Sequence, residues 1–142
     1  LEEVLKQQIA KLSLGEKVKM CGRIPDADVP AYYTACDLLC LPSVMQTEAF
    51  GIVQIEAMSL GKPVVATRIP GSGTAWVNAH RVSGLNVKVR DSEALARAIK
   101  EITEDPVKYA GYCAGAKNRF NTLFKLDSMI TGCENIYRSL LK

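Results

Sequence analysis

The chain has 142 residues, of which 48% are apolar, and its 18 basic and 15 acidic residues leave a formal net charge of +3. This length suits a single domain with its own core. This net charge is too small, and the charges are too scattered, for a nucleic-acid-binding surface. No apolar run is long enough to cross a bilayer, and the first residues are neither cationic nor apolar, so we expect neither a membrane span nor a secretory leader.

The cysteines also limit the possible functions. They number five, without a CxxC pair, and all of them fall in or beside apolar patterns: Cys21, Cys36, Cys40, Cys113 and Cys133. The single histidine, His80, provides no metal-ligand cluster. We therefore predict buried free thiols and no metal site, in a cytoplasmic protein where thiols stay reduced.

The first part of the chain predicts helices that alternate with short strands. Apolar residues recur at helical spacing up to Leu12, and residues 18–21 are predicted as a strand that Gly22 ends. Asp28 is the expected N-cap of a helix that runs to about Ala35. Residues 37–42 are almost continuously apolar, which is typical of a strand buried on both faces of a parallel sheet.

The second part continues the alternation. A helix is predicted over residues 50–60, a strand over 63–67 and a weaker strand over 84–88. Three helices follow, with expected caps at Asp91 or Ser92, at Asp105 and at Asp127. Gly111 and Gly115 should each weaken the second of them by roughly 1 kcal/mol. The last helix is expected to bury its apolar residues, Ile130, Cys133, Ile136, Tyr137, Leu140 and Leu141.

This alternation predicts the α/β class, a Rossmann-like parallel sheet flanked by helices, as one domain over residues 1–142. Ligands of such sheets bind beyond the carboxyl ends of the strands. We therefore expect the functional residues in the loops that follow the strands, after Cys21, Leu41, Thr67 and Val87.

The loop and helix start after residue 42 combine three features of a ligand site. The amino end of the helix offers unpaired N–H groups to a phosphate. Gly51 has no Cβ, so a ligand can approach its backbone closely. Glu48 and Glu56 flank this helix end, and because they would repel a bare diphosphate, they suit a nucleotide sugar whose hydroxyls they bind. The spacing alone leaves open that Glu48 only complements the helix dipole and that Glu56 is a solvated side chain.

A longer string of residues carries a resemblance to a known family. Residues 48–53 (EAFGIV), 56–58 (EAM) and 61–67 (GKPVVAT) resemble the signature of family 4 retaining glycosyltransferases, and the similarity continues to Tyr137. This family has the GT-B fold, and the chain is similar to its C-terminal nucleotide-sugar-binding domain. Residues 74–78 (TAWVN) resemble bacterial members that build lipopolysaccharide and other polysaccharides, many of which are mannosyltransferases.

The resemblance implies roles for individual residues. Glu48 would be the catalytic residue that holds hydroxyls of the donor sugar, and Glu56 would bind the ribose. The phosphates and the donor sugar would be contacted by the backbone amides of Phe50, Gly51, Ile52 and Val53. Arg23 and Ile24 would lie near the base. The resemblance implies no metal and no cofactor besides the nucleotide-sugar substrate.

The implied function is transfer of a hexose, with retention, from GDP-mannose or a UDP-sugar to a saccharide or lipid-linked acceptor. The resemblance is also compatible with peripheral association of the full enzyme at the membrane. Relatives carry an Arg, a Lys and an N-terminal acceptor domain that would precede Leu1. We therefore expect a domain truncated at its N-terminus that binds donors weakly, transfers nothing and self-associates through its last helix. Two alternatives stay open: a GT-B UDP-N-acetylglucosamine 2-epimerase and a non-catalytic nucleotide-binding or interaction module.

Overall fold

The computed structural model describes residues 1–141. The chain divides into two compact units, residues 1–30 and the residues from Ala31 onward. The elements follow the order α1 Glu2–Lys11, α2 Val29–Ala35, β1 Leu39–Leu41, α3 Ile52–Ser59, β2 Val64–Arg68, α4 Thr74–Val77, β3 Gly84–Lys88, α5 Ser92–Thr103, α6 Pro106–Arg119, a π-helical segment Phe120–Phe124, and α7 Leu126–Leu140. None of the helices in residues 1–141 is both long enough and apolar enough to span a bilayer.

The strand predicted in the first unit is not formed. Residues 18–21 form no strand, and Val18 and Met20 are 39% and 41% exposed. A strand exists only through hydrogen bonds to a neighbouring strand, and none of the strands within residues 1–141 pairs with this segment. Residues 18–21 have the apolar side chains of a strand, but among the described residues no strand offers their backbone hydrogen-bond partners.

The second unit contains a three-stranded parallel sheet in the order β1-β2-β3. Successive side chains of the central strand point to opposite faces. Val64 and Ala66 pack in a cluster with residues of α3, α4 and α6, whereas Val65 packs in a second cluster with residues of β3 and α5. Because helices cover both faces, the predicted Rossmann-like parallel sheet is confirmed.

Two of the three caps predicted for the last three helices are confirmed. Asp91 Oδ1 accepts a hydrogen bond from the N–H of Ala94 at 2.8 Å. Asp105 Oδ1 accepts from the N–H groups of Val107 and Lys108 at 2.9 and 3.1 Å, and Pro106 follows as the first helical residue. The cap at Asp127 is wrong, because α7 already begins at Leu126 and Lys125 occupies the N-cap position.

The burial predicted for the last helix is also wrong. Ile136, Tyr137 and Leu140 are 62%, 70% and 77% exposed, and Ile130 and Cys133 are exposed as well. α7 packs against the π-helical segment that precedes it, while these exposed fractions show that its apolar stripe faces solvent. All five cysteines are free, but Cys21 and Cys133 are exposed, so the prediction of buried thiols fails for these two.

Candidate functional site

The amino end of α3 lies just beyond the carboxyl end of β1. Gly51 is its N-cap with φ 78° and ψ 60°, and no side chain caps the helix. A Cβ at Gly51 would lie 2.5 Å from Nε2 of Gln54 and 3.1 Å from Cδ2 of Leu41, and together with the positive φ these close contacts favour glycine there. Ile52 is 65% exposed, which leaves the first turn open to solvent. An exposed helix end without a side-chain cap is suited to an anionic group.

Glu48 lies in the loop between β1 and α3 and is half-buried. Its backbone N–H donates to the carbonyl of Met45 at 3.0 Å, and the hydroxyl of Ser43 lies 3.5 Å from its Oε2. Among the ion pairs that residues 1–141 form, none involves this carboxylate. The carboxylate therefore keeps acceptor capacity for ligand hydroxyls.

Glu56 is an exposed residue in the second turn of α3. The phenol of Tyr33 donates to its Oε2 at 2.9 Å. Partial burial, together with this hydrogen bond, raises the pKa of Tyr33 to about 12, so the phenol stays protonated at neutral pH. Tyr33 thus fixes the orientation of the Glu56 carboxylate and leaves its other oxygen available. Tyr33 is 23 residues away in sequence, and no local pattern predicts this partnership.

Gln54 is fully buried beneath the amino end of α3. Its Nε2 donates to the carbonyls of Phe50 and Thr74, each at 3.3 Å. Its Oε1 has no hydrogen-bond partner among residues 1–141. One amide group thus joins the start of α3 to the start of α4.

An aromatic cluster lies behind Phe50. The Phe50 ring is 6.1 Å from that of Trp76 and 6.5 Å from that of Phe124, between ring centroids. Arg119 packs over the rings of Trp76 and Phe124, and its guanidinium donates to the carbonyls of Trp76 and Val77. Burial lowers the pKa of Arg119. The cluster fixes the Phe50 side chain, and sequence reasoning missed it because its residues come from a loop, α4, α6 and the π-helical segment.

The structure brings most of the predicted site residues together. Glu48, Phe50 to Val53 and Glu56 all lie on the loop and first turns of α3, within the second unit. Arg23, which is exposed, and Ile24, which is half-buried, belong to the first unit, so their expected place near the base stays a prediction. Between residues 1 and 141, no group of three or more His, Cys, Asp or Glu side chains could hold a metal ion.

The sequence matches the family described as "Glycosyl transferases group 1" over residues 1–119. The chain is 30% identical to the O-antigen chain mannosyltransferase C of Escherichia coli, a match over 100% of this chain and 38% of that protein. It is 27% identical to the lipopolysaccharide core biosynthesis mannosyltransferase LpsB of Rhizobium meliloti, a match over 99% of this chain and 39% of that protein. The chain thus spans less than half the length of these curated relatives.

Solved structures agree with this assignment. The chain is similar to Anabaena HepE in complex with UDP, with a TM-score of 0.86 and 33% identity over 96% of this chain and 36% of HepE. The HepE complex with UDP-glucose gives a TM-score of 0.83 at 31% identity, with the same coverage of both chains. The matched region is the C-terminal domain of a GT-B glycosyltransferase. The chain therefore belongs to the glycosyl transferases group 1 family.

Proposed function

We propose that this chain is the donor-binding domain of a retaining glycosyltransferase that moves a hexose from GDP-mannose or a UDP-sugar to a saccharide or lipid-linked acceptor. The process would be lipopolysaccharide or polysaccharide assembly on the cytoplasmic side of a membrane. The observation that carries the proposal is the uncapped, exposed amino end of α3 with a carboxylate on either side of it. The similarity to two mannosyltransferases supports the sugar class.

The proposed donor binds across this helix end. Its phosphates would accept hydrogen bonds from the backbone N–H groups of the first turn, where the helix dipole adds partial positive charge. Glu48 would accept hydrogen bonds from hydroxyls of the transferred sugar, and Glu56, oriented by Tyr33, would bind the ribose. The contribution to catalysis is then the positioning of the sugar and stabilisation of charge on the leaving diphosphate, without a metal ion or cofactor. HepE, solved with UDP and with UDP-glucose, supports a nucleotide-sugar ligand.

Isothermal titration of this chain tests donor binding directly. We expect UDP, GDP and their hexose conjugates to bind with dissociation constants above the micromolar range, because one helix end supplies only part of the charge that a diphosphate needs. Free glucose serves as the control and should show no heat of binding. Sub-micromolar affinity would contradict the expected weakness, and absence of binding by every nucleotide and nucleotide sugar would contradict the proposed function.

The exposed face of α7 leads to a prediction about oligomeric state. Contiguous apolar surface of this kind favours association, so we expect the chain to self-associate through α7 as its concentration rises. Light scattering measures the mass of the assembly in solution. Leu140→Lys should lower that mass towards the mass of the monomer. Ser139→Lys adds the same charge at the neighbouring position and is the matched control. A clean monomer of the unsubstituted chain at high concentration would refute this prediction.

A further inference from the structure

We propose that Ser72, in the loop after β2, is a positioning residue that fixes Glu48 for the donor sugar. This inference rests on the proposed role of Glu48 and adds a residue that does not itself contact the ligand. The loop between β2 and α4 would then contribute to the choice of donor sugar, although none of its residues is proposed to contact the ligand.

The contacts of Ser72 identify the carbonyl of Glu48 as its main partner. The hydroxyl oxygen of Ser72 lies 2.6 Å from that carbonyl, and 3.3 Å from the carbonyl of Ala49. A hydroxyl has one proton to donate, and the shortest contact takes it. The same oxygen accepts from the N–H of Thr74 at 3.2 Å and lies 3.1 Å from the Thr74 hydroxyl. The amino end of α4 therefore holds Ser72 in place, and Ser72 holds Glu48.

Further hydrogen bonds brace the same two loops. The N–H of Gly73 donates to the carbonyl of Ala49 at 2.7 Å. The side-chain amide of Gln46 donates to the carbonyl of Gly71 at 3.3 Å. Thr67, near the end of β2, donates through its hydroxyl to the carbonyl of Ser43. The loop after β1 is therefore tied along most of its length to the end of β2 and the loop that follows it.

Ser72 should affect the sugar more than the nucleotide. Ser72 forms a hydrogen bond with the backbone carbonyl of Glu48, so it fixes the backbone position from which the Glu48 side chain extends. The phosphates bind at the N–H groups of Phe50 to Val53, and the Gly73 contact to Ala49 holds this part of the loop when the Ser72 hydroxyl is removed. Losing one neutral hydrogen bond should raise the dissociation constant of a nucleotide sugar about three- to tenfold. The dissociation constant of the nucleoside diphosphate should change less than about twofold.

The test compares Ser72→Ala with Ser72→Thr, which keeps the hydroxyl. Dissociation constants for UDP, GDP, UDP-glucose and GDP-mannose are measured on the 142-residue chain by fluorescence of Trp76, which is the only tryptophan and touches Phe50. We expect Ser72→Ala to raise the ratio of the nucleotide-sugar constant to the diphosphate constant about three- to tenfold. We expect Ser72→Thr to restore that ratio. Thermal unfolding of each variant reports on folding.

The outcomes separate this inference from the proposed function. If Glu48→Gln changes the ratio and a folded Ser72→Ala does not, the positioning role is overturned and the function stands. If the unsubstituted chain binds none of the four ligands, the proposed function itself fails. Should Ser72→Ala prevent folding, Ser72→Cys replaces the hydroxyl with a thiol, a weaker donor on a side chain of similar size. An unchanged ratio in a folded Ser72→Cys overturns the inference, and a raised ratio supports it.

Discussion

Glu48→Gln is expected to raise the dissociation constant of a nucleotide sugar about ten- to a hundredfold, the effect of removing a charged hydrogen-bond acceptor. The substitution keeps the size of the side chain and loses its charge. If the carboxylate binds only the sugar, the dissociation constant of the nucleoside diphosphate should change little. The measurement is the ratio of the two constants, obtained by titrating UDP-glucose and GDP-mannose beside UDP and GDP.

Two further variants test whether the effect on the sugar is specific to Glu48. Glu56→Gln is expected to weaken the nucleotide and the nucleotide sugar by the same factor, because both carry the ribose, and the ratio should stay constant. Glu104→Gln removes a charge from the exposed end of α5 and should change neither constant. An unchanged ratio in Glu48→Gln would remove the assigned role of Glu48. It would favour a protein that kept the fold without the activity.

Gly115→Ala is expected to destabilise the chain by about 1–3 kcal/mol, the range for overpacking a filled site. A Cβ at Gly115 would overlap the backbone carbonyl of Val82, which cannot move as freely as a side chain. Gly111 lies in the same helix α6, and its Cβ would meet no atom within 4 Å. Gly111→Ala should therefore stabilise the chain by about 0.5–1 kcal/mol, the usual advantage of alanine over glycine within a helix.

Thermal unfolding measures this contrast. Each kcal/mol corresponds to about 2–4 °C for a chain of this size, so the two variants should move the midpoint in opposite directions. Gly111→Ala is the matched control, because it makes the same chemical change one turn earlier in α6. Equal stabilisation by both substitutions would show that α6 does not need close contact with the carbonyl of Val82.

Much of the fold can be predicted from local patterns. The buried strand over residues 63–67 and the helices capped by Asp91 and Asp105 depend on features within a few residues of each other. The site segment is also local, since Glu48, Gly51 and Glu56 follow one strand and open one helix. Local hydrogen-bonding and steric rules therefore suffice for these parts.

The wrong predictions concern residues whose state depends on distant partners. Residues 18–21 have the apolar residues of a strand but no pairing strand among the described ones, and α7 has a helical stripe that faces solvent. The packing role of Gly115 could not be predicted for the same reason. This glycine lowers the helix propensity of α6, but its missing Cβ lets the backbone of Val82 pack closely. Tyr33 and Ser72 act on carboxylates or carbonyls 23 and 24 residues away, and periodicity carries no information about such contacts.

The left-handed backbone at Gly51 limits how a chain of this type can evolve. A side chain there would need a left-handed backbone and would displace the amide of the buried Gln54, so this position tolerates little variation as the protein adapts to a new donor. Variation must instead enter through neighbours that face outward, such as Ala49 and Ile52, both exposed. A library that randomises those two positions while leaving the glycine untouched should retain folding in most members and concentrate its changes in which sugar is accepted.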